Sequence, residues 1–285
     1  MDALPPHEEL EIDLLIEAIW RHYHYDFRGY SRGSLHRRLL RARARLGCES
    51  FSQIQHQILR SPAAFGELMG FLTIQVSEMF RDPLYFRILR EQVIPHLRTF
   101  PSLKVWVAGC ANGEEFYSLA ILFREEGLEE RTIFYCTDIS PGAIRNAQTG
   151  VYEQGRLRSF AENHRLSGGR TALSDYYTAA YGSAVFDKSL RARAVFAEHS
   201  LATDQVFAEA HLISSRNVLI YFDRALQDRA IGLFGQSLVR GGFLGLGSRE
   251  TLRFSSASPC FDDFSTSEKI YRRNHLAVPE FDHAL

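Results

Sequence analysis

No apolar run in this 285-residue chain approaches the roughly 18 residues that a bilayer-crossing helix needs, so no membrane insertion is expected. Met1 to Glu11 is acidic, without the basic and apolar regions of a secretory signal. Cysteine is scarce: Cys48, Cys110, Cys136 and Cys260 lie scattered, with no Cys-x-x-Cys pair. Free thiols in a reducing, cytoplasmic setting are the expectation. Metal-ligand spacing is missing too, because His22 and His24 stand two apart on an expected helix and point to different faces. Net charge is nearly absent at −1 and says nothing of partners. What remains, 45% hydrophobic and 24% charged residues, is the composition of an ordinary globular protein with a substantial core.

The first 90 residues never alternate with a period of two and read as helices throughout. Leu10, Ile12, Leu15, Ile16, Ile19 and Trp20 form one apolar stripe, and Leu35, Leu39, Leu40 and Leu46 a second. Ser61-Pro62 and Asp82-Pro83 punctuate further helix starts. From Leu103 strands alternate with helices: a strand into Gly109, another over Thr132–Asp138, a helix opened by Ser140-Pro141, and later strands at 194–198, 211–215 and 243–247. A helix is expected near Leu226–Leu238 and a final antiparallel strand around Lys269–Arg272. Between about 150 and 192 the rhythm fails, which suggests a small inserted sheet. The expected organisation is a helical domain over 1–90 with a basic helix, a linker over 91–102, and an α/β domain over 103–285.

The segment Lys104–Glu115 is a buried strand, a glycine turn (Gly109, Gly113) and the start of an amphipathic helix, the first βα unit of a doubly wound sheet. Glycine lets a nucleotide-like ligand approach the backbone at such a turn. The spacing is Gly-x-x-x-Gly, so the Gly-x-Gly-x-x-Gly dinucleotide fingerprint is absent. Glu114 and Glu115 occupy the helix start that normally receives a phosphate, where they repel pyrophosphate and attract a cation. Asp138, 25 residues after Gly113, ends the second strand, the place from which an acid accepts ribose hydroxyls. A positively charged sulfonium nucleotide, S-adenosylmethionine, suits this set and NAD does not. Further on, an apolar strand runs into Arg216 and Asn217 and then reaches Tyr221, which places all three at the ligand end of the sheet.

Five ordered motifs, Thr73–Pro83, Val107–Glu115, Thr137–Ser140, Ser215–Asp223 and Gly242–Gly247, resemble the chemotaxis-receptor glutamate O-methyltransferases of the CheR type over roughly residues 10–275. The resemblance implies a helical N-terminal domain, a class I (Rossmann-like) methyltransferase domain and a small β-subdomain inserted in it. It implies S-adenosylmethionine as cofactor, S-adenosylhomocysteine as product, and glutamates of chemoreceptors as acceptors. By motif the cofactor contacts would be Gln75, Ser77, Arg81, Glu115, Asp138, Ser200, Leu201, Arg216 and Asn217, with Arg81 and Tyr221 nearest the methyl group. The chain departs from the family pattern, which has Asn at Gln75, Thr at Ser77, an aromatic at Met79, Asn at Ser200 and a His-Ser pair at Ser248-Arg249. These departures leave open a divergent homologue that binds the cofactor and signals by docking, or a methyltransferase for another protein.

Seven arginines lie between Phe27 and Cys48 with no acid among them. Arg37, Arg38, Arg41 and Arg45 are expected on the outer face of a helix, as a docking patch for the glutamate-rich cytoplasmic helices of receptors. No zinc-finger, RRM or homeodomain pattern accompanies the patch, so nucleic acid is not expected, and a monomer is. Arg81 could hold the acceptor carboxylate or the cofactor's own, and Tyr221 could orient the acceptor oxygen.

Overall fold

A computed structural model describes residues 5–279, so the outermost ends of the two expected domains lie outside the described residues. The helical half comprises α1 (Pro6–Tyr23), α2 (Arg32–Arg45), α3 (Phe51–Ile58) and α4 (Pro62–Leu72). Two of these starts are fixed locally. The Ser50 hydroxyl accepts from Gln53 N at 3.2 Å, and Ser61 accepts from Ala64 N at 3.3 Å with Pro62 supplying the first helical φ. Their apolar stripes meet one another, with Leu15, Leu39, Ile54 and Leu68 fully buried. Leu10, expected in the first stripe, is instead 60% exposed, because it lies on the opposite face from Ile12.

Next come α5 (Pro83–Ile88), a π-helical turn over Leu89–Val93 and α6 (Ile94–Leu97). The stretch 91–102, expected as a linker, is therefore partly helical, and Val93, Ile94 and Leu97 are buried against the sheet. Apolar residues there pack because each removes about 1.5–3 kcal/mol of side chain from water.

The α/β half follows in the order β1 (Leu103–Ala108), α7 (Glu114–Glu125), β2 (Thr132–Asp138), α8 (Pro141–Thr149), β3 (Val151–Glu153), α9 (Leu157–Leu166), β4 (Tyr177–Ala180), β5 (Ser183–Phe186), β6 (Ala194–Glu198), β7 (Ala210–Ser215), α10 (Arg224–Ser237), β8 (Leu238–Leu246), β9 (Phe261–Ser265) and β10 (Ile270–Arg273). Seven strands form one sheet in the order β6-β2-β1-β7-β8-β10-β9. The first five are parallel, and β10 runs antiparallel to both its neighbours. The strand order reverses between β1 and β7, which opens a crevice at their carboxyl ends. Alternation along β1 divides the core. Val105 and Val107 face α5–α7, while Trp106 and Ala108 face α10 and the N-terminal helices.

The pattern break at 150–192 is a separate antiparallel sheet, β3-β5-β4, as expected, together with α9, which periodicity did not reveal. Strand β9 was also not anticipated. No helix among the described residues is long and apolar enough to cross a membrane.

Candidate active site

A cleft of about 910 Å³, its open mouth included, lies over the carboxyl ends of β1, β2 and β7. The N-terminal half closes one side through Tyr30, Arg38 and the segment Thr73–Arg81. Gly109 turns the chain out of β1 at φ +75°, where a side chain would collide with Val218, so the glycine is required twice over. Asp138 ends β2 and faces the cleft. Its Oδ2 accepts from Ala111 N at 3.0 Å and its Oδ1 from Ser140 N at 2.9 Å. Burial pushes its carboxyl above the usual range against the pull of these amides.

Arg216 is a buried strut. It reaches Asp82 Oδ2 at 2.7 Å, the Arg81 carbonyl at 2.9 Å and Glu115 Oε2 at 3.3 Å, with its guanidinium 4.2 Å from the Tyr85 ring centre. Ser214 donates to Glu115 at 2.6 Å. Both Arg216 and Glu115 line the cleft, but much of their hydrogen bonding is already used in holding its floor. Arg81 differs. It lines the same cleft, and its side chain has no hydrogen bond or ion pair among the described residues. Tyr221 is half-buried nearby with the Arg38 guanidinium 5.2 Å from its ring. Burial raises its pKa while Arg38 and Arg81 pull it down, so the phenol keeps its proton at neutral pH and can donate.

The other expected residues divide. Ser77, Asn217 and Leu201 line the cleft. Glu114 does not: it is 0% exposed, turned into the core, and its Oε1 accepts from Arg156 at 2.9 Å. Adjacent helix positions differ by about 100°, so only one of the two glutamates can face the crevice. Gly113 stands at φ +93° against Ala147 of α8, away from the cleft lining. The Gln75 amide is committed to Ser140 Oγ at 2.9 Å, and Ser200 is taken up in its own turn, its N–H bonded to Asp204 and its hydroxyl facing Ala202 N.

The arginine patch also divides. Arg38 is 4% exposed and donates to the Leu72 carbonyl and to Ser34, so it is a strut of the cleft and not a docking residue. It belongs to the inward stripe with Leu35 and Ala42, a phase that counting charges overlooks. Arg28, Arg32 and Arg43 pair with Asp26, Asp13 and Glu8. Arg37, Arg41 and Arg45 remain exposed along one line of α2, without ion pairs among the described residues.

Sequence reasoning missed Glu250. This buried carboxylate accepts from Gly247 N at 2.6 Å, Asn217 N at 2.9 Å and Ile220 N at 3.3 Å, and so shapes the loop between Arg216 and Tyr221. Burial raises its pKa against those amides. The available signal was an acid three residues after a glycine at a strand end. No nucleophile elbow of the Gly-x-Ser-x-Gly type is expected from the sequence, although the string Gly29–Gly33 has that spacing. Its Ser31 precedes α2 and bonds the Tyr221 carbonyl through its N–H at 2.8 Å, with no strand-to-helix elbow.

A seven-stranded sheet of this order, with a reversed β10 and an acid at the end of β2, defines a Rossmann-like S-adenosylmethionine-dependent methyltransferase. The family model for the CheR methyltransferase SAM-binding domain matches residues 75–268, and that for the CheR all-alpha domain matches residues 10–73. The chain belongs to the CheR methyltransferase family. Cher3 of Pseudomonas putida, provisionally named a methyltransferase, is 53% identical over 266 residues, 93% of this chain and 97% of that protein. A chemotaxis protein methyltransferase of Listeria innocua is 29% identical over 86% of this chain and 92% of its own length. An uncharacterised 104.1 kDa protein of Rhodobacter capsulatus is 30% identical over 95% of this chain, which spans 28% of that protein. Among solved structures, a StiE O-methyltransferase domain aligns over 70% of this chain and 52% of its own, at 15% identity and TM-score 0.35.

Proposed function

We propose that this chain transfers the methyl group of S-adenosylmethionine to glutamate side-chain carboxylates on the cytoplasmic helices of chemoreceptors. The observation that carries the reading is Arg81, a guanidinium in the cleft beside Tyr221 without a protein partner among the described residues. The donor set suits the cofactor. Asp138 offers carboxylate oxygens to a ribose diol, Arg81 offers a fork of donors to a carboxylate, and acidic Glu115 at the start of α7 disfavours a phosphate. When bound, S-adenosylmethionine supplies an electrophilic methyl group on a sulfonium.

An acceptor glutamate, with a free pKa of about 4.3, is already ionised at neutral pH, so no general base is needed. The protein's work is to align and to exclude water. Tyr221 donates its phenolic hydrogen to orient the acceptor oxygen, and Arg81 grips a carboxylate of the acceptor or of the cofactor. The exposed Arg37, Arg41 and Arg45 attract a glutamate-rich helix to the mouth. Radiolabelled methyl transfer to receptor-containing membranes tests this reading. Base-labile methyl esters on receptor glutamates are expected, and label that withstands base, or none, would sink it.

A further inference from the structure

The segment between α4 and α5 carries Ser77 and Arg81 along the cleft, yet it has no regular secondary structure. Four alternate carbonyls, from Gln75 to Arg81, are caught by side chains from elsewhere. Asn112 Nδ2 donates to Gln75 O at 3.0 Å, Arg156 to Ser77 O, Asn163 Nδ2 to Met79 O at 3.1 Å and Arg216 to Arg81 O at 2.9 Å. Between these anchors Phe80 and Asp82 adopt left-handed backbone at φ 50° and 55°. Such a conformation in a bulky, buried phenylalanine persists only where its surroundings over-determine it. Two of the four anchors, Arg156 and Asn163, belong to the inserted subdomain, at the start of α9 and within it. A third depends on it, since Tyr152 of β3 donates to the Asn112 carbonyl at 2.8 Å. The fork of Arg156 also meets buried Glu114 at the head of α7, so one side chain links insert, cofactor turn and strap.

We infer that Arg156 and Asn163 are positioning residues which make the insert the splint of the Arg81 segment, so that cofactor affinity depends on where the insert sits. The inference rests on reading the cleft as the cofactor site. Neither side chain lines the cleft, and both act through the backbone that carries Arg81. Misplacing a binding group by about 1 Å is enough to lose as much as 100-fold.

Calorimetry of the full chain with S-adenosylhomocysteine tests it. Arg156→Lys combined with Asn163→Ala is the informative pair. Lysine keeps a cation for Glu114, whereas Arg156→Ala would strand a buried charge and endanger folding. The pair is expected to weaken binding about tenfold in the native background, but by less than about twofold when Arg81→Ala is already present, because its effect passes through Arg81. Thermal unfolding should shift equally in both backgrounds. An equal loss of affinity in both backgrounds, or none in the native one, overturns the inference. If S-adenosylhomocysteine does not bind the native chain, the reading of the cleft fails; if it binds and Arg81→Ala leaves its affinity unchanged, Arg81 does not hold the cofactor and this inference alone falls.

Discussion

The segment Thr73–Asp82 and the loop Ser215–Asp223 both border the cleft and both bend through left-handed residues, Phe80 and Asp82 in one and Asn217 in the other, yet opposite chemistry secures them. The loop leaves amides to be satisfied, and one buried carboxylate, Glu250, takes two of them, Asn217 N–H and Ile220 N–H, together with Gly247 N–H from the end of β8. The segment leaves carbonyls to be satisfied, and four donors from separate elements each take one. On the loop, the amide support is gathered in one carboxylate, while Gln227 and Ser31 hold its later carbonyls. Distributed anchors make the segment adjustable in steps, which suits the side that carries the free Arg81.

The sharpest way to break this comparison is Glu250→Ala. It orphans one buried and two part-buried amides, so a loss of about 2–4 kcal/mol in denaturant unfolding is expected, together with loss of methyl transfer. A loss below about 1 kcal/mol would show that the loop does not hang on this residue.

The two anchoring systems also differ in acid. Glu125 ties the insert down through His164 at 3.0 Å, with Arg170 N and Tyr176 nearby, and pairs with Arg90 outside the insert at 2.7 Å. Burial pushes its carboxyl up, but His164 and Arg90 outweigh this and bring it down to about 2. Its contribution, on the order of 3 kcal/mol, is therefore full above about pH 4.5 and lost as pH falls toward 2. Glu250 runs the other way: its raised pKa costs stability as pH rises through it, so acid relieves that side. Unfolding measured between pH 5 and 2 should flatten in Glu125→Gln, and an unchanged acid limb would remove Glu125 from the account.

Arg81→Ala separates binding from folding. Methyl transfer should fall about 100-fold in kcat/KM while Tm moves by less than about 2 °C, since no protein group loses a partner. The smallest effect is expected from Arg37→Glu, Arg41→Glu and Arg45→Glu together, roughly tenfold on receptor methylation at low salt and vanishing at high salt, with cofactor affinity unchanged. A salt-independent loss would place these arginines outside docking.

Much of the fold was legible because its signals are local. The Ser61-Pro62 and Ser140-Pro141 starts work within three residues, and the hydroxyls accept from Ala64 N and Ala143 N as their spacing implies. Strand β2 begins and ends where its apolar run and closing acid indicate. Residues 91–102 were misread because buried Val93, Ile94 and Leu97 are too few to show a period in a segment that changes helix type. Arg38 was misread because its charge was counted and its phase with Leu35 and Ala42 was not.

By itself the sequence determined the helical first half, the main parallel strands, the glycine turn, the acid at the end of β2 and the family, all of which rest on neighbours within a few residues or on ordered motifs. Only the tertiary structure decided which charges are free. Glu114 meets Arg156, Arg216 meets Asp82 and Glu250 meets Asn217, partners 42, 134 and 33 residues apart. Whether a charged group is strut or reagent depends on what lies opposite it once the chain is closed. No local pattern of residues encodes that.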